Sequence, residues 1–326
     1  PGSFNVCYKL AGGTYARVGT TLLAVSAVVP TAFSDDGAVE TGGTDHLTFT
    51  GGSGLKLGSG QDEAKVVTSS AACSDAAGGG TSVVTDLGPD DANGATQAQA
   101  AFTFTQAGDF KVCYKPQGGN YARVGSSFVT VLAKGATNYN PSSVTTGSSQ
   151  TVTFTGGSGF KLMATGGDTA KVVLQSGSCA TDAAAGGSSE VSNLGPNDAD
   201  GATTAEATFT FTVAGSYQVC KKILGKSYER VGAFLTVAAV PPTAFSHDGA
   251  TTTGGTETLT ITGGSGLKLM GTGGDSAKVV ASTGSCSDAS AGGTSEVTDL
   301  GPDNIDGATT AEAAFIFTQA GNYIVC

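Results

Sequence analysis

The sequence predicts an all-β protein built from antiparallel β-sandwiches repeated in series, and three observations predict it. The seven cysteines form two interleaved series with one period. Cys7, Cys113, Cys220 and Cys326 step by 106, 107 and 106 residues, and Cys73, Cys179 and Cys286 step by 106 and 107. One folding unit copied about three times gives such a pattern. Apolar and polar residues alternate with period two in short runs, and glycine-, proline- and aspartate-rich turn signals separate those runs. No segment shows helical period.

Each element recurs in order. Residues 47–54 read L-T-F-T-G-G-S-G, 152–159 read V-T-F-T-G-G-S-G, and 259–266 read L-T-I-T-G-G-S-G, each an alternating strand running into a glycine turn. A second strand follows: E-A-K-V-V at 63–67, T-A-K-V-V at 169–173 and S-A-K-V-V at 276–280. The Cys73-type cysteine then sits in a Gly/Ser/Ala loop. Turn signals beginning L-G-P at Leu87, Leu194 and Leu300 lead to the strands A-F-T-F-T (101–105), T-F-T-F-T (208–212) and A-F-I-F-T (314–318). A short A-G-x-[FY] turn opens the strand that carries the Cys113-type cysteine. The closing hairpin reads Y-A-R-V-G at Tyr15 and Tyr121, and Y-E-R-V-G at Tyr228. About seven strands in a unit near 100 residues is the immunoglobulin-like count.

The predicted boundaries follow. Residues 1–29 are the final hairpin of a preceding repeat, 30–134 and 135–240 are repeats, and 241–326 is a repeat without its last hairpin. The joints, Val28-Val-Pro30-Thr31, Lys134-Gly-Ala136 and Val240-Pro-Pro242-Thr243, are short, and proline makes two of them stiff. Residues 1–7 align with 320–326. Two readings are open: a window within a longer array, or an assembly in which the first hairpin of one chain completes the last repeat of the next. An unpaired sheet edge needs neighbouring protein in either case.

The stretch Tyr139-Asn-Pro-Ser-Ser-Val-Thr-Thr-Gly-Ser-Ser-Gln-Thr-Val-Thr-Phe-Thr-Gly resembles the opening strands of IPT/TIG-type immunoglobulin-like repeats. The A-G-x-[FY]-x-V-C segment is similar to the late strand of many extracellular immunoglobulin-like modules. This resemblance implies an extracellular module, as in surface filament, cell-coat and adhesin proteins. It departs from antibody domains in having no tryptophan at all.

Pairing within a repeat gives Cys73–Cys113, Cys179–Cys220 and Cys286–Cys326, with Cys7 paired outside the window. Pairing across repeats, Cys7 with Cys73 and so on, is the alternative. The first is preferred because it leaves each unit self-contained. A loop near 40 residues adds about 4 kcal/mol in the chain-entropy model. In Phe110-Lys-Val-Cys-Tyr-Lys, parity sets Phe110, Val112 and Tyr114 on the apolar face and Cys113 with the lysines on the other, so the bridge is expected outside the sandwich core.

The composition excludes several functions. There are 16 basic and 27 acidic residues, a net charge of −11 and no basic cluster, which leaves no footprint for nucleic acid. No apolar run reaches the roughly 18 residues of a membrane span; the most hydrophobic stretch, 22–33, is broken by Ser26, Pro30 and Thr31. Cysteines at fixed spacing in small repeated domains favour an oxidising compartment, extracellular or at the cell surface. The only histidines, His46 and His247, do not recur and serve no catalytic pattern, so no enzyme and no cofactor is expected.

Three weaker candidates remain. Asp91, Asp198, Asp200, Asp303 and Asp306 lie in acidic turns that offer calcium oxygen ligands. However, the bidentate Glu of an EF-hand is absent: with Asp198 as position one, position twelve is Phe209. Such residues also suit any tight turn. Lys65, Lys171 and Lys278 recur and raise a Lys–Asn/Asp crosslink, although no partner position can be read. No usable N-glycan sequon exists, since Asn140 precedes proline; Thr31 and Thr243, beside the linker prolines, are candidate O-glycan sites. The expected function is structural, a repeat segment of an extracellular fibre, filament or surface coat that partners with copies of itself or its own continuation. The alternative is an adhesin or a carbohydrate- or protein-binding module.

Overall fold

In the computed structural model, residues 2–90, 92–162, 165–249, 252–269, 274–303 and 305–326 are described. The described residues form short strands and turns without a helix. They divide into two compact units: Pro1–Gly135 with Gly157–Lys161 and Ala199–Thr203, and Ala136–Gly156 with Leu162–Asp198 and Thr204–Cys326.

In the first unit, Thr44–Thr50 is the centre of a three-stranded antiparallel sheet, flanked by Ala32–Ser34 and Ala98–Thr103. The second sheet is organised around Gly108–Lys115, which pairs antiparallel with Glu63–Thr68, Ala122–Arg123 and Val129–Leu132. Alternation decides what is enclosed. Leu47, Phe49, Ala98, Ala100 and Phe102 from one sheet meet Ala64, Val66, Phe110, Val112, Tyr114, Val129 and Val131 from the other in one buried cluster. Val39–Glu40 runs parallel to Val131–Leu132, because the chain leaves the first sheet after Ser34 and joins the second. A parallel pair therefore stands within an otherwise antiparallel pattern. Leu55–Lys56 and Asn93–Ala95 form a separate two-stranded ribbon.

The second unit repeats this plan. Asn138–Asn140, Ser149–Thr155 and Ala205–Thr210 form one sheet; Thr169–Leu174, Gly215–Lys222, Tyr228–Ala238 and the parallel Ser143–Thr145 form the other. Residues 241–326 add Ala244–His247, Thr256–Thr262 and Ala311–Ile316, and a two-stranded pair of Val279–Ala281 with Tyr323–Val325. Their core holds Leu259, Leu267, Leu269, Val279 and Phe315, with Phe317, Tyr323 and Val325 only partly covered.

The F-T-F-T strand has a specific partner. Phe104 lies 5.2 Å from Phe110, Phe211 5.8 Å from Tyr217, and Phe317 5.1 Å from Tyr323, between ring centroids. Tyr217 Oη donates to the Val213 carbonyl (2.9 Å) and Tyr323 Oη to that of Gln319 (2.8 Å). These bonds reach four residues upstream, as in the tyrosine corner of immunoglobulin-like sandwiches. A glycine lies against each pair: at Gly79 (φ +68°) an added Cβ would stand 2.9 Å from both Phe104 and Phe110. The Gly/Ser/Ala loop is thus held on the aromatic pair at a point where only glycine fits.

Candidate functional site

The feature repeated three times is the outer face of the second sheet. Cys73–Cys113, Cys179–Cys220 and Cys286–Cys326 are disulfide-bonded, across 40, 41 and 40 residues; Cys7 is free and exposed. The pairing is the one within a repeat. Cys113 lies on the strand face opposite Phe110, Val112 and Tyr114 and outside their core cluster, yet it is fully buried. In the second unit Cys179, Cys220 and Val173 form a small cluster of their own, with Tyr228 packed against it. The loop pinned by each bridge therefore roofs the outer face and gives the sheet a second, thin apolar layer.

The recurring lysine belongs to that roof. Lys65 Nζ donates to the Asp75 carbonyl (2.5 Å) and sits 4.0 Å from the centre of the Tyr121 ring. Lys171 does the same with the Asp182 carbonyl (2.5 Å) and the Tyr228 ring (4.3 Å), and Lys278 donates to the Asp288 carbonyl (2.8 Å). The aspartate it reaches turns its carboxylate back onto its own loop, accepting from the N–H of Ala72, Ser178 or Ser285 at 2.8–2.9 Å. Lys65 and Lys171 thus tie the loop to the closing-hairpin tyrosine by a cation–π contact and a charge-assisted hydrogen bond. The bond to the loop carbonyl is common to all three lysines and accounts for their recurrence.

Tyr121 also donates to Glu63 Oε2 (2.5 Å), while Lys115 pairs with Glu63 Oε1 at 3.0 Å. The Tyr121 hydrogen bond and Lys115 hold the Glu63 carboxyl below the usual range. Burial, then Glu63, pushes the Tyr121 phenol up; burial does the same to Tyr228. Tyr114 is raised by burial and by its hydrogen bond to Asp62. A phenol raised in the fold contributes stability that is complete below its unfolded value near 10 and lost as pH rises beyond it. Alkaline titration followed by phenolate absorbance should therefore show Tyr114, Tyr121 and Tyr228 ionising together with loss of β-sheet circular dichroism. Their reversible ionisation in a still-folded chain would contradict this account.

A constellation that the sequence did not single out lies at the sandwich end. Asp62 and Asp168 are each 1% exposed. Asp62 accepts from Tyr114 Oη (2.7 Å) and from the N–H groups of Gln117 (2.7 Å) and Lys56 (3.0 Å). Asp168 accepts from Lys221 Nζ (2.5 Å) and the N–H of Leu224 (3.0 Å). Burial pushes the Lys221 ammonium down and Asp168 pulls it back up. Asp275 takes the Lys268 N–H at 2.9 Å. The available signal was the recurrence of D-[ETS]-A-K at Asp62, Asp168 and Asp275.

The other candidates are not drawn together. Among the described residues no group of three or more His, Cys, Asp or Glu side chains could hold a metal. Asp91 lies outside the described residues. Asp198 and Asp303 stand in turns, and Asp200 and Asp306 open ribbon strands whose register partners are Lys161 and Lys268. Opposite charges facing across a ribbon stabilise the pairing. His46 stands 3.4 Å from Asp36 and His247 3.4 Å from Glu257, at different positions in their repeats. Thr31 and Thr243 are exposed, and each donates its N–H back to the strand before the glycine turn, to Thr50 and Thr262. An added Cβ at Gly51 or Gly263 would stand 2.3 or 2.2 Å from their Oγ1 atoms, so these hydroxyls also pack the turn.

No family model and no curated protein matches the chain. Among solved structures, a D1–D4 ectodomain fragment of ICAM-5 is 14% identical, with 82% of this chain and 66% of that one covered and a TM-score of 0.26. The Bacteroides ovatus mixed-linkage glucan utilization locus protein SGBP-B, in complex with a mixed-linkage heptasaccharide, is also 14% identical (99% and 80% covered, TM-score 0.20). Domains 5–6 of the S-layer protein SbsC are 13% identical (64% and 98%, TM-score 0.20). Likeness at this level transfers neither a ligand nor a partner.

Proposed function

We propose that the chain is a non-enzymatic repeat segment of an extracellular structural protein: a fibre, filament or surface coat of immunoglobulin-like beads resembling IPT/TIG-type repeats. The observation that carries this reading is the roofed outer face. Three times over, a disulfide, a lysine and an aspartate fasten the longest loop of the repeat to its sheet. Fastening of this kind removes the segment most open to proteolysis and bars extension of some 40 residues under tension. Among the described residues it builds no cluster of three or more His, Cys, Asp or Glu side chains that could hold a metal. Disulfides point to an oxidising, extracellular setting. Thr31 and Thr243 remain the proposed O-glycan carriers. No helix among the described residues is long and apolar enough to cross a membrane.

Electron microscopy of the native material tests the proposal, together with proteolysis before and after reduction. Regular filaments or a coat with an axial repeat of one or three domains, resistant until reduced, are expected. Isolated flexible monomers that bind glycans would reject it in favour of an adhesin.

A further inference from the structure

Within each unit, two turns of one repeat reach onto the repeat before it. In the second unit, the G-G-S-G turn of 263–266 brings Ser265 Oγ to 2.8 Å from Thr146 Oγ1, and Ser265 exchanges both backbone hydrogen bonds with Val240 (2.9 and 3.0 Å). In the first unit, Ser158 Oγ stands 2.8 Å from Thr41 Oγ1 and donates to the Thr41 carbonyl (2.8 Å). Because Ser158 has one proton to give, Thr41 donates to it, while accepting from the Lys134 N–H at 3.2 Å. Thr41 and Thr146 are both 2% exposed, so water does not compete for these hydroxyls.

Glycine allows the close approach. At Gly266 (φ +72°) an added Cβ would stand 2.6 Å from the Thr146 side chain, and one at Gly159 would collide with Thr41. The second turn is the ribbon strand D-G-A. An added Cβ at Gly307 (φ +91°) would stand 2.6 Å from the Thr212 carbonyl oxygen, and one at Gly201 (φ +89°) 3.0 Å from that of Thr105. Thr105 and Thr212 end the F-T-F-T strands, and Thr212 leads into the corner where Tyr217 donates to Val213. Burial, then the Asp306 carboxylate, pushes the Tyr217 phenol up, so the charge of the ribbon is felt at that corner.

These contacts draw the turns away from their own repeat. Gly157–Lys161 and Ala199–Thr203 group with Pro1–Gly135 and not with the rest of 135–240. The energetic consequence is reciprocal. The Thr146–Ser265 bond exists only while both repeats are folded around it. When either opens, the hydroxyl left behind returns to water, so the bond weighs equally on the stability of each.

We propose that the G-G-S-G turn and the D-G-A strand of each repeat are an energetic joint, which makes part of the stability of one repeat depend on the next. In the second unit, 135–240 and 241–326 hold one another folded through Thr146–Ser265 and Thr212–Gly307. Stability in tandem arrays is a sum of the repeats and of their nearest-neighbour interfaces, and these two contacts supply an interface term. The joint goes beyond the structural reading above, because it depends only on contacts inside the chain and holds equally for a fibre or an adhesin.

The test is native-state hydrogen exchange of the full chain, read peptide by peptide by mass spectrometry. Ser265→Ala and, separately, Gly307→Ala alter only residues of 241–326. Each should nonetheless speed exchange of Ala205–Thr210 and Gly215–Lys222 in the repeat before it, by roughly tenfold for Ser265→Ala, which leaves a buried hydroxyl without its partner. Phe315→Leu is the control. It trims the core of 241–326 where Phe315 pairs with Glu257, at the far end of the strand that runs into the Ser265 turn. It should speed exchange of Thr256–Thr262 and leave 205–222 as in the parent chain. Unchanged exchange at 205–222 in Ser265→Ala, which adds no atoms and keeps the test open should Gly307→Ala not fold, would overturn the proposal. Equal acceleration there by Phe315→Leu would overturn it too. Neither result bears on whether the native material is filamentous, which electron microscopy decides separately.

Discussion

Replacing Asp168 with alanine should destabilise the second unit by about 3–5 kcal/mol, the usual cost of leaving a buried charge without its partner. Lys221 and Asp168 are 2% and 0% exposed at their side chains, so no water stands ready to take over. The loss also frees the Leu224 N–H that Asp168 accepts. Denaturant unfolding of the full chain, expected to show more than one transition because the chain holds two compact units, should show one midpoint moved and the rest in place. Lys221→Tyr is the control. Repeat 30–134 already carries tyrosine at that position, Tyr114, bonded to the equivalent Asp62 at 2.7 Å. That variant should therefore cost less than about 1.5 kcal/mol, as other well-fitted core exchanges do. A near-silent Asp168→Ala would mean that the pair is solvated.

Removing the Cys179–Cys220 bridge with paired alanines should cost about 4 kcal/mol for a loop of this length in the chain-entropy model. The effect on proteolysis should be larger than the thermodynamic loss suggests. Without the bridge, the loop over Val173 keeps the Lys171 contact to Asp182 and the two Gln218 amide bonds to the carbonyls of Gln175 and Gly177. These anchor it at points rather than covalently. New cleavage sites should therefore fall between residues 175 and 187, mapped by mass spectrometry, while the β-sheet circular dichroism of the chain persists. Cleavage elsewhere first would show that the roof is not what protects the repeat.

Much of the fold is legible in the chain because its causes are local. Alternation in L-T-F-T and F-T-F-T fixes which side chains face inward, and the glycine turns fix where strands stop. Parity alone separates Cys113 from Phe110, Val112 and Tyr114. What parity cannot convey is that the opposite face is also covered: Val67 and Cys113 are fully buried by a loop whose position depends on tertiary closure. Asp62 and Asp168 are hidden for the same reason. An aspartate after Gly or Gln in a polar loop reads as a turn residue, and only the strand returning 52 or 53 residues later buries it. Thr41, Thr146, Ser158 and Ser265 are likewise ordinary turn residues in the sequence, and their pairing spans 117 and 119 positions.

The graded cover over the three bridges has a chemical-kinetic consequence. Thiol–disulfide exchange needs a thiolate to reach a sulfur atom in line, so its rate follows access as well as potential. Cys220 is fully buried and Cys179 is 7% exposed, whereas Cys286 is exposed and Cys326 partly so. A small reductant meets these bonds in sequence, Cys286–Cys326 well before Cys179–Cys220. The chain is thus expected to carry one readily exchanged sulfur pair, Cys286–Cys326, beside one that stays inert on the same timescale, Cys179–Cys220.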